Sequence, residues 1–299
     1  MPIPTALRGK AFLARDAIAA GLLTPDHLRS RAWKRMFQGV YADSRLAVTH
    51  AIRCAAALEF VLPAGAVIAG RSAAMMLGVE IGAAADPVEA LVPLDALPCR
   101  HRGILVHRGP LADQDRLHKR GLPITSPART CWDLARWLEP VEAVAWIDRM
   151  IALGCVSSAD LDAFGNRRHQ LPRARGWRRF DTVLPLVDGR SESPPESRLR
   201  VRLTLAGLPP AEVQFTILDE DGRFVARVDL AWPDLRIAVE YDGLWHVGSA
   251  AQMHADRRRL NGLAGLGWTV LHVTSARLRD DFPALVAEIR TAMRRRAAA

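Results

Sequence analysis

The chain is poor in lysine. Only Lys10, Lys34 and Lys119 occur in 299 residues, so nearly all of the 41 basic side chains are arginine. Set against 32 acidic residues, they leave a formal net charge of +9. Arginine forks onto phosphates bidentately, so the excess points mildly to a polyanionic partner. An arginine-rich coding composition produces the same excess with no such partner. Cysteine is scarce as well. Cys54, Cys99, Cys131 and Cys155 are scattered and form no C-x-x-C pair, which excludes a disulfide framework or a cysteine-rich zinc site. No apolar run reaches the roughly 18 residues of a membrane span. The best stretch, 55–68, is broken by Glu59 and Pro63. The N-terminus lacks a charged-then-apolar signal pattern, so the expectation is a soluble, cytoplasmic protein. With 49% apolar and 24% charged residues, wholesale disorder is excluded.

The length suggests two domains or three small ones. Residues 1–47 read as a small helical unit ending in a strand. A helix is expected over 10–20 and stopped by Gly21, with another over 26–31 after the Thr24-Pro25 start signal. A third is expected over 33–37, then a strand over 39–42. Helix, helix, basic helix, strand is the order of a winged helix-turn-helix. It would place Arg29, Arg31, Lys34 and Arg35 where a recognition helix meets DNA. A helical lid with a solvated basic face fits the same pattern. Residues 48–165 read as a mixed α/β middle domain with no catalytic constellation. Cys99, His101 and His107 fit no zinc spacing. Residues 166–190 include six arginines between 167 and 179, with no acid among them, and read as an exposed linker.

Residues 191–299 carry the chemistry. The expected order is helix, three strands, helix, strand, helix, forming a mixed sheet flanked by helices. Asp219-Glu220-Asp221-Gly222 marks a hairpin turn between the first two strands. On the second strand Asp229 lies between Val228 and Leu230; on the third, Glu240 and Asp242 alternate with Val239 and Tyr241. Residues two apart share a face of a strand. If the strands pair through Pro233-Asp234, Asp229 approaches Glu240. Two or three carboxylates on one patch need a raised pKa or a cation, and oxygen ligands suit Mg²⁺ or Mn²⁺.

Helix Glu196 with Ser197-Arg198-Leu199-Arg200, then Arg227-Val228-Asp229, then Val239-Glu240-Tyr241-Asp242-Gly243-Leu244-Trp245-His246, followed by Asp256-Arg257-Arg258-Arg259 and Leu266 to Leu271, resembles the PD-(D/E)xK nuclease fold. The likeness is to bacterial domains related to the very-short-patch-repair endonuclease, and it covers about residues 190–295. It implies a metal-dependent DNA endonuclease in repair or defence, with Asp229, Glu240 and the Tyr241 carbonyl as metal ligands. Asp242 stands where that family carries lysine, which an aspartate cannot replace. His246, after Trp245, would be a general acid or base. Residues 39–42 and the run Thr125 to Ala135 resemble AbiEi-type antitoxins and regulators, which implies DNA binding by the first ~45 residues.

Each residue also has a plain role. Ser193-Pro194-Pro195-Glu196 is a capping box, which alone accounts for Glu196. Asp229 can pair with Arg227 or Arg236, and Asp242 can begin a turn. Arg257, Arg258 and Arg259 form either a solvated helix face or a contact to backbone phosphates. The expectation is therefore a multidomain α/β nuclease acting on double-stranded DNA. Its competitor is a non-catalytic AbiEi-type regulator with a decayed nuclease-like domain. An RNA substrate, a partner protein and a homodimer stay open.

Overall fold

Among the described residues three sheets organise the chain, with three, five and four strands in chain order. The computed structural model describes residues 3–97, 99–169, 176–243 and 250–298, without the side chains of 168, 169 and 250–256. The elements are β1 (Ala11–Leu13), α1 (Ala14–Ala19), β2 (Trp33–Phe37), β3 (Val40–Asp43), α2 (His50–Phe60), β4 (Val67–Ile68), α3 (Gly70–Leu77), β5 (Val88–Val92), β6 (Ile104–Arg108), β7 (Arg116–Lys119), β8 (Leu122–Thr125) and α4 (Pro127–Trp137). They continue with α5 (Pro140–Ala152), α6 (Ser158–His169), α7 (Trp177–Val183), α8 (Pro194–Leu205), β9 (Glu212–Leu218), β10 (Phe224–Trp232), β11 (Ile237–Asp242), α9 (Ala250–Gly265), β12 (Thr269–Thr274), α10 (Ser275–Asp280) and α11 (Phe282–Ala297). Among the described residues no helix is long and apolar enough to cross a membrane.

The chain divides into two compact units, Met1–Trp137 with Cys155–Trp177, and Leu138–Gly154 with Arg178–Ala299. The first holds the sheets β1-β3-β2 and β6-β5-β4-β8-β7. Met36, Phe37, Val40 and Ala42 share one core with Cys54, Ile68, Ala90 and Ile124, so residues 1–47 and the middle region pack as one body. Phe12, Trp33 and Tyr41 make a smaller aromatic cluster, with the Phe12 and Trp33 rings edge to face at 5.1 Å.

Residues 33–37 are a strand, not the expected basic helix, and residues 10–20 are β1 followed by the short α1. The turn expected as a helix over 26–31 is a 3₁₀ turn, His27–Arg29. The misreading of β2 has a physical cause. A bulge between Arg35 and Phe37 buries Trp33, Met36 and Phe37 while Lys34 and Arg35 stay exposed. That is the i, i+3, i+4 spacing of a helix, produced by one extra residue in a strand. Lys34 and Arg35 therefore project from a hairpin.

The second unit is built on the sheet β12-β11-β10-β9, parallel between β11 and β12 and antiparallel elsewhere. Its start is a capping box. Ser193 Oγ accepts from the Glu196 N–H at 3.4 Å, and Pro194 and Pro195 occupy the first helical turn. Leu199, Leu203, Leu285 and Ile289 from α8 and α11 pack on one sheet face with Leu230, Ile237 and Val239. Leu263 from α9 packs on the other with Val228, Ala231 and Ala238. Within 166–190 the described residues are mostly helical rather than an extended linker, since α6 reaches His169 and α7 buries Phe180 and Val183. Residues 170–175 lie outside the described residues.

Candidate active site

Strict alternation along β10 fails at Asp229. Val228 and Leu230 are two apart yet contribute to different cores, whereas Ala231 shares the core of Val228. The facing therefore slips by one residue at Asp229. Gln214, between Val213 and Phe215 on the neighbouring β9, has a left-handed φ of 54°, which is costly for a residue with a Cβ. The antiparallel ladder between β10 and β11 ends at the pair Leu230–Val239. Beyond it, Asp229 Oδ2 accepts the N–H of Tyr241 at 2.8 Å. A carboxylate thus takes the donor that the ladder no longer pairs. In an extended strand the N–H and C=O of one residue point to the same side, so the Tyr241 carbonyl faces Asp229 too.

Two further carboxylates bear on Asp229. Glu196 Oε1 accepts from Ser193 Oγ at 2.6 Å, and its Oε2 accepts from the Glu192 N–H at 2.9 Å. The Gln214 amide donates to Glu196 Oε2 at 2.9 Å and reaches Asp229 Oδ1 at 3.4 Å, so it bridges the two acids. Desolvation pushes the Asp229 carboxyl up to about 6; the Tyr241 N–H opposes the shift, and the charges of Glu196 and Glu240 add to it. Arg227 binds Glu192 at 2.5 Å and Arg236 binds the Leu266 carbonyl, so neither neutralises Asp229. Glu196 is therefore both a cap and a member of the acidic cluster.

Glu240 is differently placed. Both its oxygens accept from Arg259 on α9, Nη1 to Oε1 at 2.6 Å and Nη2 to Oε2 at 2.7 Å. The parallel register sets His272 of β12 beside Glu240. His272 Nδ1 lies 3.1 Å from Asp242 Oδ1 and 3.9 Å from Glu240 Oε2. Asp242 thus partners a histidine rather than only opening a turn. Arg257 and Arg258 are exposed on α9. Arg29, Arg31, Lys34 and Arg35 are exposed on the first unit, with Arg29 ion-paired to Asp26 at 3.3 Å. His246 lies outside the described residues.

Of the acids expected from the sequence, Glu196 and Asp229 meet through Gln214, and Glu240 and Asp242 both approach His272. Gln214 and His272 were not expected there, and Arg259, expected on a solvated helix face or at a backbone phosphate, instead pairs with Glu240. No local pattern marks Gln214; the register of β11 with β12 is the signal that exposes His272. Among the described residues no three His, Cys, Asp or Glu side chains come together in an arrangement that could hold a metal ion.

No protein-family model matches the chain. It is 35% identical over 189 residues to each of two uncharacterised Mycobacterium tuberculosis proteins, MT2308 and Rv2248, covering 62% of this chain and 67% of each of them. A solved structure, the RV2827C protein of the same organism, aligns over 70% of this chain and 84% of that one, with 18% identity and a TM-score of 0.40.

Proposed function

The chain belongs to the family of MT2308 and Rv2248, and from its acidic site we propose that it is a divalent-cation-dependent endonuclease acting on DNA. The observation that carries this reading is Asp229, placed where β10 and β11 part, accepting the Tyr241 N–H and feeling the charges of Glu196 and Glu240. Like charges gathered in a half-buried site are unfavourable unless a cation accompanies them. The succession α8-β9-β10-β11-α9-β12 around a mixed four-stranded sheet supports a PD-(D/E)xK-like reading of the second unit. In the first, the β2–β3 hairpin would serve as a basic wing, although β2 takes the place of the expected recognition helix. There DNA would meet Arg29 and Arg31 and the hairpin side chains Lys34 and Arg35.

The donors suit Mg²⁺ or Mn²⁺ in kind. Among the described residues Asp229 Oδ1 has only the long Gln214 contact, strand geometry would turn the Tyr241 carbonyl to the same side, and all these donors are hard oxygens. Asp229, Glu240 and Tyr241 would hold the ion, with Glu240 first leaving Arg259. Bound there, the ion would activate water and stabilise charge on a phosphodiester. Gln214 fixes Asp229 beside Glu196. Asp242, at the position where the resemblance implies lysine, orients His272, which stands near Glu240 and can accept a proton from water. Arg257 and Arg258 would hold the phosphate backbone.

Supercoiled plasmid incubated with Mg²⁺ or Mn²⁺ tests the reading. The parent should nick it, and Asp229→Ala should nick at least ~100-fold more slowly, since that side chain anchors the ion. A parent that binds DNA but never cuts it would support the second reading, a regulator with a decayed nuclease domain. The bidentate Arg259–Glu240 pair favours that alternative, because it already supplies Glu240 with a cation.

A further inference from the structure

Arg259 reaches Glu240 from a helix whose neighbouring residues Arg257 and Arg258 face solvent. The Glu240 side chain is 9% exposed and that of Arg259 is 32% exposed. The fork is closed, with each carboxylate oxygen bonded to its own guanidinium nitrogen at 2.6 and 2.7 Å. A carboxylate held this way has its strongest lone-pair directions filled, so a divalent ion and the guanidinium compete for it. Simple withdrawal of Arg259 is unfavourable because it leaves a buried carboxylate unpaired. Exchange is favourable only when an incoming cation takes Glu240 and an incoming anion takes the guanidinium. A backbone phosphate is such an anion and binds guanidinium in the same forked geometry.

We propose that Arg259 is a built-in counter-cation that blocks the divalent-ion site until a nucleic-acid phosphate draws it off Glu240. The inference rests on the metal-dependent reading of the site. It makes ion binding and DNA binding mutually dependent, because any coupling between two ligands is reciprocal. The protein then holds its ion weakly when free and tightly on DNA, which suppresses activity away from the substrate.

Calorimetric titration of the full chain with Mn²⁺ tests this, with and without a saturating, cleavage-resistant phosphorothioate duplex, after subtraction of the heat of the duplex alone. The duplex should tighten Mn²⁺ binding to the parent about tenfold. Arg259→Gln should bind Mn²⁺ about tenfold more tightly than the parent without DNA and gain little when DNA is added. Arg259→Lys, which keeps the charge but loses the fork, should fall between them. The parent measurement needs no variant, so a misfolded substitution does not spare the proposal. Equal Mn²⁺ affinity with and without DNA overturns the exchange and leaves the metal reading standing. Absence of Mn²⁺ binding by both parent and Arg259→Gln, with DNA present, overturns both.

Discussion

Burial and like charge act in the same direction on Asp229. Its carboxyl ionises near 3.8 in an unfolded chain and near 6 in the folded one. The folded state therefore holds the proton more tightly, and the stability this confers is complete below about 3.8 and is lost as pH rises through about 6. Asp229→Asn removes the titration while keeping an oxygen for the Tyr241 N–H. In EDTA it should be more stable than the parent at pH 8 by about 2 kcal/mol, with the difference shrinking towards pH 4. Urea unfolding at the two pH values reads this directly, and an equal difference at both would remove Asp229 as its source. At this scale the acids were legible and their partners were not. Glu196 sits in a capping box and Asp229 interrupts apolar strand residues, both local signals. Gln214, Arg259 and His272 meet them from 15, 19 and 30 residues away in sequence, which only the folded registers reveal.

A bulge changes how an element reads and also what it presents. The strand β2 carries a helical spacing of apolar residues because one extra residue puts Met36 and Phe37 both inside. Lys34 and Arg35 are both exposed on a hairpin that turns at Gly39, whose φ of 75° suits glycine. Both are exposed, so removing them should leave the fold intact. Lys34→Ala with Arg35→Ala should lower the slope of log affinity for duplex DNA against log salt by about 2, each lost phosphate contact contributing about 1. Stability should stay within about 0.5 kcal/mol of the parent. Fluorescence anisotropy across a salt series measures the slope; an unchanged slope would place DNA binding elsewhere. The strands of the second unit read correctly from sequence for the opposite reason. The turn at 219–222 separates β9 from β10, and Asp229 and Glu240 lie on β10 and β11 as expected, because an aspartate-glycine turn and a proline turn bound these strands.

At the scale of the molecule, sequence order is a poor guide to which parts fold together. The region 191–299 reads as a self-contained domain, yet its unit also takes in residues 138–154. Helix α5 packs on α8, where Arg198 forks onto Glu142 at 2.8 and 2.9 Å and Arg200 meets Asp148 at 2.7 Å. The Arg200–Asp148 pair is buried, with Asp148 Oδ1 also accepting the Asp188 N–H at 2.7 Å and Arg200 also donating to the Leu186 carbonyl at 2.6 Å. No periodicity within α5 announces a partner 50 residues on; its apolar face alone fits either unit. The pair yields a prediction with two arms. Asp148→Ala in the full chain leaves the Arg200 charge buried without its carboxylate and should cost about 3 kcal/mol or more, seen as a lower urea midpoint. A fragment beginning at residue 191 lacks α5 altogether, leaving Arg198 and Arg200 without both carboxylates and the face of α8 uncovered. It should unfold without a cooperative transition or bind a hydrophobic dye at neutral pH, whereas one carrying 138–154 as well should not. If the shorter fragment melts cooperatively at the temperature of the longer one, α5 is an appendage, and the acidic site needs nothing from the middle of the chain to hold its shape.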